Sequence, residues 1–171
     1  LVINEGAIIL NMGKNLRKKE TEEHEKLYNS IDIPIIGKII DEGTVEGGDC
    51  LWIKNNTLLV GESFRTNPSG INQLKKILNN YDVKVIPIKL PKQNNVNSCF
   101  HLMSLVSMLD HDLAIGCMSL FSFDLIKIFN DNNIKLITII YTYIHIKKKE
   151  GNYASHSFGR INSRWGENNW P

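Results

Sequence analysis

Residues 50–87 read CLWIKNNTLLVGESFRTNPSGINQLKKILNNYDVKVIP, and this stretch decides the fold. Two short runs of β-type residues flank the polar connection Lys54–Asn56, which is typical of a β-hairpin. Asn67-Pro68 then predicts the start of a helix, and apolar residues recur at helical spacing from Ile71 to Leu78. Val83–Pro87 follows as another strand. The predicted unit is therefore strand, strand, helix, strand.

A second copy of this unit follows about 55 residues later. Leu105–Leu109 and Leu113–Gly116 form a hairpin pattern around a short polar turn. Leu120–Phe129 has helical spacing, and Ile134–Tyr143 is rich in β-branched residues, as strands are. The repeat predicts an array of α/β units rather than an all-α fold.

A third, partial copy precedes the other two. Ala7–Leu10 and Pro34–Ile40 have strand patterns, and a charged helix is predicted between them from about Lys19 to Asn29. We expect this copy to lack the first strand of its hairpin. One unit alone leaves an apolar sheet face uncovered, so neighbouring units are expected to stack on one another.

The composition excludes several classes of protein. The 171 residues are 42% hydrophobic and 22% charged, which are ordinary values for a globular domain. A net charge of +2 argues against binding to nucleic acid, and no apolar run reaches the length of a membrane span. Three irregularly spaced cysteines favour a reducing compartment. The sequence therefore predicts a cytoplasmic protein with neither nucleic acid nor membrane as a partner.

Four polar residues lie at comparable junctions of successive units: Asp49, His101, Arg65 and Arg17. If the units are arranged around an axis, these junctions converge on one cavity. One carboxylate, one imidazole and two guanidiniums suit a substrate with one cationic and one anionic end. Each residue also has a structural alternative: a turn cap for Asp49, a packed ring for His101 and surface ion pairs for the arginines.

The residues do not predict a metal site or a bound cofactor. The three cysteines and five histidines show no CxxC or HxxxH spacing. The sequence also lacks a P-loop and a GxGxxG motif.

Three stretches resemble the dimethylarginine dimethylaminohydrolases. They are EGAIILNMGKNLRKKETEEHEKL (5–27), EGGDCLWIKNNTLLVGESFRTNPSGINQL (46–74) and CFHLMSLVSMLDHDLAIG (99–116). These enzymes belong to the guanidino-group-modifying superfamily, together with arginine deiminase and the amidinotransferases. The resemblance covers about residues 4 to 140 and rests on the GGD, R-T-N, H-L and R-x-x-E steps in this order.

The resemblance implies a pentein-type α/β propeller of five strand-strand-helix-strand units, of which about three are present here. It also implies hydrolysis of the guanidino C–N bond of N-methylated arginine, or of arginine, to citrulline and an amine through a Cys thiouronium intermediate. By the same resemblance, Asp49 binds the guanidinium and His101 is the general acid and base. Arg17 and Arg65 then hold the carboxylate of the amino acid.

Two parts of the family pattern have no counterpart in this sequence. An acidic pair would fall before Leu1, and a nucleophilic cysteine would lie near the end of a complete domain. We expect none of Cys50, Cys99 and Cys117 to replace that nucleophile, whose identity is unknown. We therefore expect a partial pentein domain over residues 1–145 and a divergent tail over 146–171 with the composition of a disordered segment.

Three other functions stay open at this point. The chain could be related to an arginine deiminase or an amidinotransferase instead. It could be a degenerate remnant that binds guanidino ligands without catalysis. It could also self-associate through the open edges of its sheets.

Overall fold

The structure is a computed structural model that describes residues 1–91 and 100–139. It contains three strand-strand-helix-strand units. Unit 1 comprises β1 (Val2–Ile3), β2 (Gly6–Ile9), α1 (Lys18–Ser30) and β3 (Ile35–Lys38). Unit 2 comprises β4 (Cys50–Lys54), β5 (Thr57–Glu62), α2 (Pro68–Asn79) and β6 (Lys84–Lys89). Unit 3 comprises a short helix α3 (Leu102–Leu105), β7 (Val106–Asp110), β8 (Leu113–Gly116), α4 (Phe123–Asp131) and β9 (Lys135–Thr138).

Each unit has the same sheet topology. The first two strands pair antiparallel, and the second strand pairs parallel with the strand that follows the helix. Units 2 and 3 also share their register, because Cys50 faces Val60 as Val106 faces Gly116. Positions of unit 2 can therefore be equated one by one with positions of unit 3.

The core consists of two apolar clusters that lie between consecutive sheets. The first joins Ile8 of β2, Leu74 of α2 and Leu58 of β5. The second joins Leu59 of β5 to Phe129 of α4. Adjacent residues of β5 thus face opposite clusters, as strand alternation requires. Burial of one such side chain contributes roughly 1.5–3 kcal/mol, so the contacts between units hold the array together.

The helix starts follow the capping signals in the sequence. Asn67 precedes α2, and its side-chain oxygen accepts a hydrogen bond of 2.8 Å from the Gly70 amide. Ser122 precedes α4, and its hydroxyl accepts one of 3.2 Å from the Leu125 amide. The predicted start at Asn67-Pro68 is confirmed.

The expectation that unit 1 lacks its first hairpin strand is wrong. β1 pairs antiparallel with β2, with Val2 opposite Ala7. Two residues are too few to show an alternating pattern, which is why the sequence did not reveal this strand. The turn depends on Gly6, whose φ is 147° and whose place leaves no room for a Cβ, since one would lie 2.3 Å from the Pro34 carbonyl oxygen.

The predicted boundary between residues 145 and 146 lies outside the described residues, as does the end of the strand predicted to reach Tyr143. Within residues 1–91 and 100–139, no helix has the length and apolar character needed to cross a membrane. The cytoplasmic location and the exclusion of nucleic acid stay predictions.

Candidate active site

The segment Glu46-Gly47-Gly48-Asp49 joins unit 1 to unit 2. Gly47–Asp49 form a 3₁₀ turn directly before β4. A Cβ on Gly48 would lie 2.9 Å from the ring carbons of His101, so a side chain at this position would push the histidine away. Glycine at position 48 thus allows the start of unit 3 to approach the turn.

Asp49 is fully buried, and protein donors use both of its oxygens. Oδ2 accepts hydrogen bonds from the hydroxyls of Ser63 (2.9 Å) and Thr66 (2.6 Å). Oδ1 accepts the backbone amide of Leu102 at 3.0 Å. Because Leu102 belongs to α3, this carboxylate ties unit 2 to unit 3.

His101 lies between two carboxylates. Its Nδ1 is 3.2 Å from Asp49 Oδ2, and its Nε2 is 3.6 Å from Glu46 Oε2. Nδ1 is buried and makes no aligned hydrogen bond. The residue immediately precedes α3, where its amide donates to Ser104 Oγ at 3.2 Å. Backbone contacts therefore fix the imidazole between Asp49 and Glu46.

Glu46 connects the remaining charged groups, although it is only 1% exposed. Its Oε2 lies 3.0 Å from Arg17 Nη1 and 3.4 Å from Arg65 Nη1. Arg17 also donates to Glu20 through Nε (2.9 Å to Oε1) and Nη2 (2.8 Å to Oε2). One carboxylate oxygen thus meets two guanidiniums and, at a longer distance, the imidazole of His101.

A cavity of about 290 Å³ opens beside this group. Its apolar side includes Ile9 and Leu10, and its polar side includes residues of α1 such as Thr21 and His24. Of the charged groups described above, four line the cavity: Arg17, Glu20, Glu46 and His101. Asp49 and Arg65 lie behind this lining. The arrangement can bind a small charged molecule and can transfer a proton at His101.

The cysteines do not provide an activated thiol within the described residues. Cys50 packs in the cluster between units 1 and 2, on the side that strand alternation predicts. Burial raises the pKa of its thiol to about 12, so the thiol is neutral near pH 7. Cys117 is also buried. Cys99 lies outside the described residues.

One cluster within residues 1–91 and 100–139 has potential metal ligands close together. Asp110, His111 and Asp112 form it in the turn between β7 and β8, with ligand atoms within 4.8 Å of one another. Asp110 and His111 are exposed, and the hydrogen bond from His111 lowers the pKa of Asp110. This turn does not line the cavity described above. The expectation of no metal or cofactor stays a prediction.

The structure brings all four predicted site residues together, but it adds a fifth that the sequence reasoning missed. Glu46 begins the EGGD motif, and the 3₁₀ turn brings its carboxylate to the same histidine as Asp49. The sequence signal that could have identified Glu46 was its place in the EGGD motif, three residues before Asp49. The prediction that Asp49 binds a guanidinium remains untested, and its complete burial with three donors does not favour that role.

Comparison with known proteins finds a family match and solved structures of similar fold. A sequence profile of the arginine deiminase family matches residues 1–149. DDAH from Pseudomonas aeruginosa, a cysteine-to-serine variant complexed with citrulline, superposes with a TM-score of 0.65 and 29% identity, over 80% of this chain and 50% of that one.

Two further solved structures have the same fold at lower identity. The N-terminal domain of ArgZ, a cyanobacterial arginine dihydrolase bound to its substrate, has a TM-score of 0.68 at 18% identity, over 82% of this chain and 51% of that one. SxtG, an amidinotransferase from Microseira wollei, has a TM-score of 0.63 at 15% identity, over 82% and 47%. At these identities the likeness concerns the fold alone.

The chain spans about half of the length of these structures. The predicted resemblance to dimethylarginine dimethylaminohydrolases is confirmed, as is the pentein-type α/β architecture of repeated strand-strand-helix-strand units. With a family profile that covers most of the sequence and a fold that agrees with it, the chain belongs to the arginine deiminase family.

Proposed function

We propose that this chain provides the ligand-binding part of an amidinohydrolase site. The reaction is hydrolysis of the guanidino C–N bond of N-methylated arginine, or of arginine, to citrulline and an amine. The observation that carries this proposal is the contact of Glu46 with Arg17, Arg65 and His101 at a cavity. It is supported by the DDAH structure with 29% identity, which is complexed with citrulline.

Different charged groups recognise the guanidinium end and the carboxylate end of such a ligand. An alkylguanidinium is protonated at neutral pH and needs a carboxylate partner. Glu46 lines the cavity and can meet the ligand, whereas Asp49 lies behind the lining and adjoins His101 Nδ1 at 3.2 Å. Arg17 lines the cavity and holds the ligand's carboxylate, and Arg65 supports it from behind the lining through their shared contact with Glu46. Both arginines contact Glu46 in the structure, so binding exchanges ion pairs within the protein for ion pairs with the ligand.

His101 supplies the proton transfers in the proposed reaction. A thiolate attacks the guanidino carbon, and as the C–N bond breaks the His101 imidazolium gives its proton to the leaving amine. The neutral imidazole then takes a proton from water, whose oxygen replaces sulfur on the carbon. The sum is the addition of one water across the C–N bond. The thiolate comes from a group that we do not assign.

We expect this chain by itself to bind ligand without releasing citrulline. Cys50 is buried with a thiol pKa of about 12, and Cys117 is buried as well. Citrulline release by a triple variant with serine at positions 50, 99 and 117 would contradict the thiol mechanism.

Calorimetric titration with L-citrulline and with dimethylarginine tests the binding site. The wild type should bind both, and Glu46→Gln should lower the affinity about tenfold or more, because a charge-assisted contact is lost. Glu42→Gln is the matched control, since Glu42 bonds the Ser69 hydroxyl and does not line the cavity. Agmatine, which lacks the carboxylate, should bind more weakly than arginine.

Three outcomes would change the proposal. Absence of binding by the wild type would favour a degenerate remnant. Equal affinity for agmatine and arginine would contradict the role of Arg17 and Arg65. A preference for unmethylated arginine over dimethylarginine would favour the relationship to a deiminase or an amidinotransferase.

A further inference from the structure

The buried carboxylate of Asp49 receives protons from a one-way chain of hydrogen bonds. Ser63 Oγ accepts the backbone amides of Arg65 (3.1 Å) and Thr66 (3.2 Å), and Thr66 Oγ1 accepts the amide of Glu46 at 3.0 Å. Because a backbone amide can only donate, each hydroxyl must direct its own proton to Oδ2 of Asp49, at 2.9 and 2.6 Å. The direction of the chain is therefore fixed, and this oxygen acts only as an acceptor.

Nδ1 of His101 lies at the end of this chain. It is 3.2 Å from Oδ2 of Asp49, and it is buried without an aligned hydrogen bond. A bare lone pair on Nδ1 would face a carboxylate oxygen in a buried site, where like partial charges repel strongly, whereas an N–H would be attracted. Two hydroxyl protons already occupy the directions in which Oδ2 accepts best, which accounts for the poor alignment of a third donor. The contact therefore favours a proton on Nδ1.

Two neighbouring groups favour the opposite tautomer, but their contacts are weaker. The Ser104 amide adjoins the His101 side chain in a capping box, yet its hydrogen bond goes to the His101 carbonyl oxygen at 2.9 Å, and Nδ1 accepts none from residues 1–91 and 100–139. Glu46 Oε2 lies 3.6 Å from Nε2, and two guanidiniums compensate its charge. Asp49 receives neutral donors, so its charge acts on the imidazole with less compensation.

We infer that Asp49 holds the neutral His101 side chain in the tautomer with its proton on Nδ1, so that Nε2 is the nitrogen that takes up and releases a proton. Asp49 is then a positioning residue, since it acts through His101 and lies behind the lining of the cavity. The hydroxyls of Ser63 and Thr66 hold its carboxylate in place. The tautomer is a property of the chain without ligand, and only its consequence for catalysis rests on the proposed function.

The inferred tautomer places proton transfer on the side of His101 that faces Glu46. Nε2 is 3.6 Å from Glu46 Oε2, and both residues line the cavity. A guanidinium nitrogen bound to Glu46 can therefore come within hydrogen-bonding reach of Nε2. In the proposed reaction the N–H bond at Nε2 breaks, its electron pair stays on the imidazole, and the proton goes to the leaving amine. Water later returns a proton to Nε2, while the proton on Nδ1 stays in place.

Nuclear magnetic resonance of protein with isotope-labelled histidine rings tests the inference without a ligand. Correlation of the carbon-bound ring protons with both nitrogens distinguishes a protonated from a bare nitrogen, and the signals lost in His101→Gln identify His101 among the five histidines. At a pH that leaves the ring neutral, Nδ1 should be protonated and Nε2 bare. Exposed His24 is the internal reference and should show the reverse, which is the form that histidine prefers in water.

A pH titration of the wild type identifies the nitrogen that exchanges its proton. When the pH is lowered, the Nε2 resonance of His101 should move by the large shift that accompanies protonation of a bare nitrogen. The Nδ1 resonance should move little, because that nitrogen carries its proton in both states. The two resonances thus report on the two halves of the inference within one experiment.

Two amide variants locate the group that fixes the tautomer. Asp49→Asn removes the charge beside Nδ1, so the ratio of the Nδ1–H form to the Nε2–H form should fall about tenfold or more. Glu46→Gln is the matched comparison and should keep the Nδ1–H form, because it removes a charge from the side of the bare nitrogen. Circular dichroism verifies that each variant is folded. If Asp49→Asn does not fold, the spectra of the wild type and of Glu46→Gln still decide.

Three results would overturn the inference. The first is a wild type with a bare Nδ1 and a protonated Nε2, which would show that Ser104 or Glu46 sets the tautomer. The second is inversion of the tautomer in Glu46→Gln, and the third is an unchanged ratio in folded Asp49→Asn. The proposed function is tested separately, since failure to bind citrulline with Nδ1 protonated would contradict that function and leave the tautomer assignment intact.

Discussion

Glu46 and Asp49 stand three residues apart in one turn and are both buried, yet their surroundings differ. Asp49 receives three neutral donors, namely two hydroxyls and one backbone amide, and it adjoins the imidazole of His101 at 3.2 Å but contacts no guanidinium. Glu46 faces two guanidiniums and an imidazole and lines the cavity. Neutral hydrogen-bond donors around a buried carboxylate stabilise the fold, whereas charged side chains beside a cavity can exchange a protein partner for a ligand.

The difference assigns separate tasks to the two carboxylates. Asp49 joins the loop after β5 to α3 through hydrogen bonds that a small ligand cannot reach, so its replacement should mainly lower the stability of the fold. Glu46 is the carboxylate that a ligand can reach, so its replacement should mainly lower the affinity for the ligand. Replacing each by its amide tests this division, since the change in shape is minimal.

The largest effect is expected from Asp49→Asn, which should lower the free energy of unfolding by about 3 kcal/mol. Ser63 Oγ already accepts the amides of Arg65 (3.1 Å) and Thr66 (3.2 Å), so its proton must go to residue 49. Thr66 Oγ1 accepts the amide of Glu46 at 3.0 Å. An amide NH₂ at Oδ2 would therefore face two donors. Urea denaturation followed by circular dichroism measures the change.

Glu46→Gln is the matched comparison for that experiment. Its amide oxygen can still accept a hydrogen bond from an arginine, and the cavity gives access to water, so we expect a stability loss of about 1 kcal/mol. Equal losses in the two variants, or a larger one in Glu46→Gln, would contradict the division of tasks.

Cys50, the next residue along the chain, extends the comparison to a buried group without strong donors or acceptors. Its Sγ lies 3.9 Å from the Glu46 carbonyl oxygen, and burial raises the pKa of the thiol to about 12. The folded state therefore keeps a proton that the unfolded state loses above about pH 9. The stability that this thiol contributes is complete below that pH and is lost as the pH rises towards 12.

The expected loss is at most about 1.4 kcal/mol per pH unit between pH 9 and 12, relative to Cys50→Ala. Urea denaturation of both proteins across this range isolates it from the titration of lysines, which both share. Parallel pH profiles would show that the thiol is already ionised in the folded state, and Cys50 would then become a candidate nucleophile.

Most of the fold could be predicted from the sequence because its patterns are local. Hairpin turns, the cap at Asn67 and helical spacing each depend on a few neighbouring residues, and the structure confirms them in units 2 and 3. The strand Val2–Ile3 could not be found in this way. It is too short for a periodic signal and is defined only by its partner.

The candidate site was predictable as a set of residues but not as a set of contacts. Asp49, His101, Arg17 and Arg65 could be named from their junctions and from the resemblance. Which carboxylate faces the cavity depends on side-chain directions in a three-residue 3₁₀ turn and on Gly48, against which His101 lies. Such directions depend on partners that lie 14 to 53 positions away in the sequence, so local patterns do not contain them.

The smallest effect concerns Glu20, which marks the exposed end of the charged group. Its two carboxylate oxygens accept hydrogen bonds from Nε and Nη2 of Arg17, and these hydrogen bonds lower the pKa of Glu20. A ligand carboxylate that needs this edge must displace Glu20, which is easier to displace than buried Glu46. Glu20→Gln should therefore raise the affinity for citrulline about two- to fivefold in calorimetric titration. The control is Glu23→Gln, which breaks a similar ion pair with Lys26 that does not line the cavity. It should leave the affinity for citrulline unchanged. Weaker binding by Glu20→Gln would show instead that Glu20 holds Arg17 in the orientation that the ligand requires.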